Sequence, residues 1–109
     1  MQELDHLTRE RETSLNDLYE ALANDRRRAI LATLREQTMP VDTATLAQYV
    51  AEAEHGVPDA AVHAEAVEQV HISLYHVHLP RLAASGLVEY DHDRDAVLGV
   101  ADEVQSLKL

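Results

Sequence analysis

Arginine is the residue in this sequence with the plainest chemical use. Arg26, Arg27 and Arg28 stand in a row, and Arg81 and Arg94 follow far along the chain. A guanidinium presents a rigid fork of N–H donors that matches phosphate oxygens. Between these cations come Gln69, Ser73 and His76, spaced so that on a helix they share one strip. An amide, a hydroxyl and an imidazole can hydrogen-bond to base edges or to phosphates. His92 and Arg94 sit in a charged run, Asp91-His92-Asp93-Arg94-Asp95. Together these side chains form a candidate nucleic-acid-binding set. A plainer reading stands beside it. The triplet also reads as a solvated helix face with Asp25 as its cap, and Arg94 as part of a charged turn.

The other reactive residue types point to less. His6, His55, His63, His71, His76, His78 and His92 are many histidines for 109 residues. A zinc or nickel site needs three or four converging nitrogen or oxygen ligands. No carboxylates stand at matching spacing, so the histidines read as surface or partly buried groups. The chain has no cysteine, which excludes a thiolate metal box, a disulfide frame and a thiol nucleophile. Its three glycines are scattered, so no phosphate-cradling loop forms, and no Ser, His and acid stand in a catalytic motif. The expectation is a protein that is not an enzyme and uses no cofactor.

The elements that must position these residues are mostly helical. Leu15, Leu18, Tyr19 and Leu22 recur at helical spacing after a start at Ser14, with Asp17 three residues on. Asn24 reads as the stop and Asp25 as the next N-cap. A second helix over about 26–36 carries Ile30, Leu31 and Leu34. Met39-Pro40-Val41 suits a small edge strand. Asp42 or Thr43 then caps a third helix with Leu46, Ala47, Val50 and Ala53, broken at His55-Gly56-Val57-Pro58.

A long helix follows, from between Asp59 and Glu65 to Ser85-Gly86, with Gly86 suited to a left-handed C′ position. Pro80 lies inside it and predicts a kink or break, because its ring would meet the carbonyl of His76. Two apolar stripes run along this segment: Val67, Val70, Leu74, Val77, and Ile72, Tyr75, Leu79, Leu82. They leave a narrow polar strip of Glu65, Gln69, Ser73 and His76 and predict burial on more than one side. Leu87–Tyr90 and Ala96–Val100 read as two strands of a hairpin. Residues 102–109 read as a tail or short helix with Val104 and Leu107 inward.

Composition sets the setting. Twenty acidic residues face nine basic ones, a formal charge of −11, and Lys108 is the lone lysine. Such a charge repels itself in dilute salt. In molar salt the Debye length falls to ~3 Å and the repulsion is screened. Carboxylate excess, scarce lysine and small aliphatics suit a cell that keeps molar salt inside. With no Phe or Trp, the core must be Leu, Val, Ile and Ala, with the four tyrosines at its margins. No apolar run approaches the ~20 residues of a membrane span. The N-terminus shows no secretory pattern, so a cytoplasmic location is expected.

Three helices, a long fourth segment and a terminal hairpin is the order of a winged helix-turn-helix. "LYEALANDRRRAILATL" resembles the opening of ArsR-like regulators, and "HLPRLAASGLVEYD" resembles the end of their recognition helix with its step into the wing. The fuller string "LYHVHLPRLAASGLVEYD" is similar to small winged-helix proteins of halophilic archaea. The resemblance spans about residues 15–100. It implies a mostly α fold with a small β-hairpin wing, organised as an N-terminal extension (1–13), a winged helix-turn-helix domain (14–101) and a C-terminal tail (102–109). It further implies a positioning helix around Thr43–Glu54, a recognition helix around Glu65–His76 and a wing tip at Asp91–Asp95. Lacking cysteine, this sequence departs from ArsR-like metal sensors, so metal sensing does not carry over.

The expected partners are duplex DNA and a second copy of the chain. Leu4, Leu7, Val104, Leu107 and Leu109 are apolar points on polar termini. A twofold dimer would bury them, with Leu4, Leu7, Val104 and Leu107 at its interface. The alternative is an interaction module of the same fold that binds protein and not DNA. It stays open because the recognition strip holds no arginine.

Overall fold

The computed structural model describes residues 15–56 and 63–109. Leu4, Leu7 and the Ser14 helix start lie outside them. Helix α1 spans Leu15–Leu22 and α2 Asp25–Arg35. The cap between them differs from the expectation. Asn24, not Asp25, is the N-cap of α2, its side chain accepting the Arg27 N–H at 3.0 Å. Asn24 therefore starts the second helix two residues past the end of the first. Asp25 becomes a first-turn acid beside the positive end of the helix dipole.

Strand β1 is Val41–Asp42, and α3 spans Thr43–His55. Asp42 caps α3 by accepting from the Thr45 N–H at 2.8 Å and the Thr45 hydroxyl at 2.8 Å. These bonds, the backbone one first, hold the Asp42 carboxyl below its usual range. Gly56 ends α3 in the left-handed region, at φ 66°.

Helix α4 spans Ala64–Ser73, continues through a π turn at Leu74–His78, and resumes as α5 over Leu79–Ala84. Pro80 is the reason. It has no N–H to donate and its ring excludes the normal carbonyl position one turn back. The chain widens by one residue just before it, so the Leu79 N–H reaches the Leu74 carbonyl five positions earlier. The proline neither breaks nor sharply ends the helix; it changes its register. Leu74 and Leu79, five apart, are both buried, and with Val70 and Leu82 they continue one inward stripe. Each expected stripe is split: Ile72, Tyr75 and Val77 are 53%, 40% and 47% exposed, while Val70, Leu74, Leu79 and Leu82 are buried, so the segment buries one side and not several.

Gly86, at φ 80°, closes α5. The Leu87 N–H donates to the Leu82 carbonyl at 3.0 Å, and the Gly86 N–H to the Ala83 carbonyl at 3.1 Å. Leu82 and Leu87 pack inside as the apolar partners of this Schellman closure. Strands β2 (Val88–Asp91) and β3 (Ala96–Val100) form the hairpin. Their register slips by one between Glu89 and Tyr90, which leaves Leu98 as the extra residue of a bulge. Strand β1 pairs antiparallel with β3 (Val41↔Val97), giving a three-stranded sheet in the order β1-β3-β2. The architecture is thus helical, with one small antiparallel sheet.

The core is aliphatic, as the composition requires: Ile30, Leu31, Leu34, Leu46, Val50, Val70, Leu74, Leu79, Leu82, Leu87 and Val97 are fully buried. Val104, on a 3-10 turn over Asp102–Ser106, joins them. Arg35 ties this turn down, donating to the carbonyls of Leu107 (2.7 Å) and Val104 (3.3 Å). The dimer role expected for Val104 is corrected accordingly. Val104 is interior to its own chain, and Leu107 and Leu109 pack against the same core. Among the described residues, no helix is long and apolar enough to cross a membrane.

Candidate nucleic-acid interface

The arginine triplet is largely consumed by the fold. Arg27 is 7% exposed and its Nη2 donates to the Glu20 carbonyl at 2.9 Å. Arg28 donates to the Leu22 carbonyl and to the Asp25 carboxylate. Both side chains therefore donate to carbonyls in the last turn of α1. Arg26 bridges three helices. Its Nε and Nη2 grip the two Glu54 oxygens at 2.7 and 2.9 Å, and its Nη1 donates to Ser73 Oγ at 3.2 Å. The Glu54 contact holds the Arg26 guanidinium charged and neutralises it locally. Ser73, half-buried, also donates to the Val70 carbonyl at 2.8 Å. Arg81 pairs with Glu20 at 2.7 Å and pins α5 to α1. It shares a groove with Arg27, Glu20 and Ser85.

A second group gathers where the π turn meets the hairpin. Gln69 and His76 are exposed on α4 and its continuation, on the face that also carries Glu65, Glu68 and Ile72. Tyr75 stacks on His92 of the hairpin turn, with ring centroids 5.4 Å apart and planes inclined by 21°. Tyr75 also meets His76 edge-on at 4.9 Å, and Tyr90 meets His92 edge-on at 5.2 Å. Arg94 stands on the same turn as His92. Its side chain is 74% exposed and lies 3.5 Å from Asp91, a loose contact compared with those of Arg26 and Arg81.

Asp95 anchors this turn. Its φ of 51° is left-handed, a conformation that Asp tolerates better than most residues. The buried Thr43 hydroxyl donates to it, lying 2.6 Å from its carbonyl oxygen and 2.5 Å from Oδ1. The Tyr90 hydroxyl donates to the same Oδ1 at 2.6 Å. Burial opposes the Asp95 charge, but the bonds from Thr43 and Tyr90, with His71 and His92 nearby, outweigh it and keep the carboxyl below its usual range. Burial, followed by the bond to Asp95, pushes the Tyr90 phenol up to about 12. The start of α3, the end of β2 and the hairpin turn are thus fastened at one carboxylate.

The expected set therefore divides. Gln69, His76, His92 and Arg94 belong to the α4–hairpin region, while Arg26, Arg27, Arg28, Ser73 and Arg81 serve helix packing. Sequence reasoning missed Ile72, Tyr75 and Asp95. The first two looked like core, and Asp95 like one acid among several. Among the described residues the histidines do not converge. His78 is buried with its Nδ1 lacking a partner among the described residues, while His76, two positions away, faces solvent. No group of three or more metal-ligating side chains comes together among the described residues. Burial first, then Arg27 and Arg26, push the His78 imidazole below its ordinary range.

A family model described as a domain of unknown function, DUF7344, matches residues 19–98, which run from α1 to β3. No curated protein and no solved structure gives a significant match.

Proposed function

The chain belongs to the DUF7344 family, and we propose that this member is a winged helix-turn-helix regulator that binds duplex DNA as a homodimer in molar salt. In this reading α3 positions, α4 enters the major groove and the β2–β3 hairpin is the wing. The observation that carries it is the stack of Tyr75 on His92, which holds the hairpin turn with Arg94 against the helix that exposes Gln69 and His76. A helix for the groove and a turn for the backbone are then one unit. The order of two helices, a strand, three helices (the last two joined through the π turn) and a hairpin, with β3 central in the sheet, supports the same fold reading. Leu15 and Tyr19 of α1, 63% and 64% exposed, support pairing of two chains near their N-termini. The regulator works in the cytoplasm and needs no cofactor.

A charge of −11 does not oppose this in a salt-rich cell. Counterion release contributes little there, and hydrogen bonds, shape and bridging cations carry more of the affinity. One observation favours the interaction-module reading: Glu65 and Glu68 stand on the exposed face of α4, and Arg26 is spent on Glu54. Co-precipitation of genomic fragments in molar KCl, with light scattering on the same sample, tests the proposal. Specific fragments and a mass about twice 12.2 kDa are expected. Recovery of protein but no DNA at any salt would favour the module.

A further inference from the structure

We propose that the outer strip of α4 reads an A·T-containing major-groove site, with Gln69 on adenine and Ile72 on a thymine methyl. This rests on the DNA-binding reading above and adds what that site prefers. The strip is Glu65, Glu68, Gln69, Ile72 and His76, all exposed and on one helical face. Its chemistry is unusual for a groove-reading surface. Residues 64–78 contain no Arg or Lys, the side chains that read the O6 and N7 acceptors of guanine. Two carboxylates and an amide make the strip rich in acceptors instead. They seek amino groups, and in the major groove those belong to adenine N6 and cytosine N4. A guanine edge offers only acceptors there, so two carboxylates meet it badly.

Ile72 decides between the two amino-bearing bases. It is 53% exposed, an aliphatic side chain turned outward where a core position was expected. In the major groove the apolar feature is the C5-methyl of thymine. An adenine for Gln69 and a thymine for Ile72 are both supplied by A·T pairs. Their positions agree with that. Side chains three apart on a helix lie roughly 5–6 Å from each other, a span of one to two base-pair steps of ~3.4 Å. His76 can donate to N7 of either purine and adds no discrimination.

The test selects bound sequences from a random duplex pool in molar KCl, then measures affinity for the recovered site with single atoms changed. Uracil in place of thymine removes only the methyl. One position should lose about fourfold in affinity, the worth of one buried methyl group. Ile72→Ala should bind the thymine and uracil duplexes alike. 7-Deazaadenine at the neighbouring adenine should cost about tenfold with the parent and little with Gln69→Ala. Both residues are exposed, and circular dichroism checks that the variants fold. Tight binding with guanine at the core positions, or with uracil tolerated everywhere, would overturn this inference while leaving DNA binding intact. Failure to select any duplex would overturn both.

Discussion

Tyr75 in the π turn and His92 in the hairpin turn are stacked, with centroids 5.4 Å apart, although seventeen positions separate them in the chain. Tyr75 lies in the π turn that precedes Pro80, one position beyond the buried Leu74, and its half-exposed ring reaches the hairpin turn.

His92→Ala should therefore loosen the hairpin more than it unfolds the protein. Aromatic pairs contribute about 0.5–1.5 kcal/mol beyond their buried area, so a drop in stability no larger than that is expected. Hydrogen exchange should speed up in 88–100 more than in α2. Uniform acceleration across the chain would argue against a local coupling.

Arg26 and Arg94 should behave oppositely. Arg26→Ala takes the arginine from Glu54 and one of its two hydrogen bonds from Ser73, and should cost about 1–2 kcal/mol in denaturant unfolding. Arg94→Ala touches only an exposed, loose contact and should stay within about 0.5 kcal/mol, while weakening binding to most DNA sequences alike. A stable Arg26 variant would show that the bridge between α2, α3 and α4 is not needed.

The acid limb of stability should depend on His78. Its folded pKa lies below 6.5 through burial and through Arg27, Arg26 and Arg81, against the opposing pull of Glu54. Below pH 6.5 the unfolded chain takes up a proton there that the folded chain refuses. Stability from this group is full above that pH and is lost as pH falls toward the folded pKa. His78→Leu removes a buried nitrogen that has no partner among the described residues, so the variant should hold its stability and flatten the pH profile just below the ordinary histidine range. An unchanged slope in that window would contradict the assignment.

The proposed adaptation to salt is tested by heat. Melting temperature should rise steadily with KCl up to molar levels, because screening relieves the repulsion of −11 charges. A flat or falling series would remove the argument that the charge is suited to salt.

Much of the fold was legible because it rests on local chemistry. Asp42 caps α3, Gly56 and Gly86 close their helices, and Ala96–Val100 is a strand as its pattern predicts. The candidate site was less legible, because its outcome depends on tertiary contacts. Arg26 can be seen to be spent only once Glu54, 28 positions away, is brought beside it. Ile72 and Tyr75 share an apolar stripe with Leu79 and Leu82 in the sequence, and only the fold shows that the first two face out while the last two are buried. Val104 looked like surplus on a polar tail, yet it fills the end of the core. Asn24 and Asp25 are both good caps, and which one serves is decided by where α1 ends.

The central claim is that α4 and the hairpin turn grip duplex DNA together. Hydroxyl-radical footprinting in molar KCl on a fragment recovered by co-precipitation tests it most directly. Two protected patches about one helical turn apart, ~34 Å, are expected with the parent, and both should fade with Arg94→Ala. Uniform cleavage of the fragment by the parent protein across the whole KCl series would contradict the account.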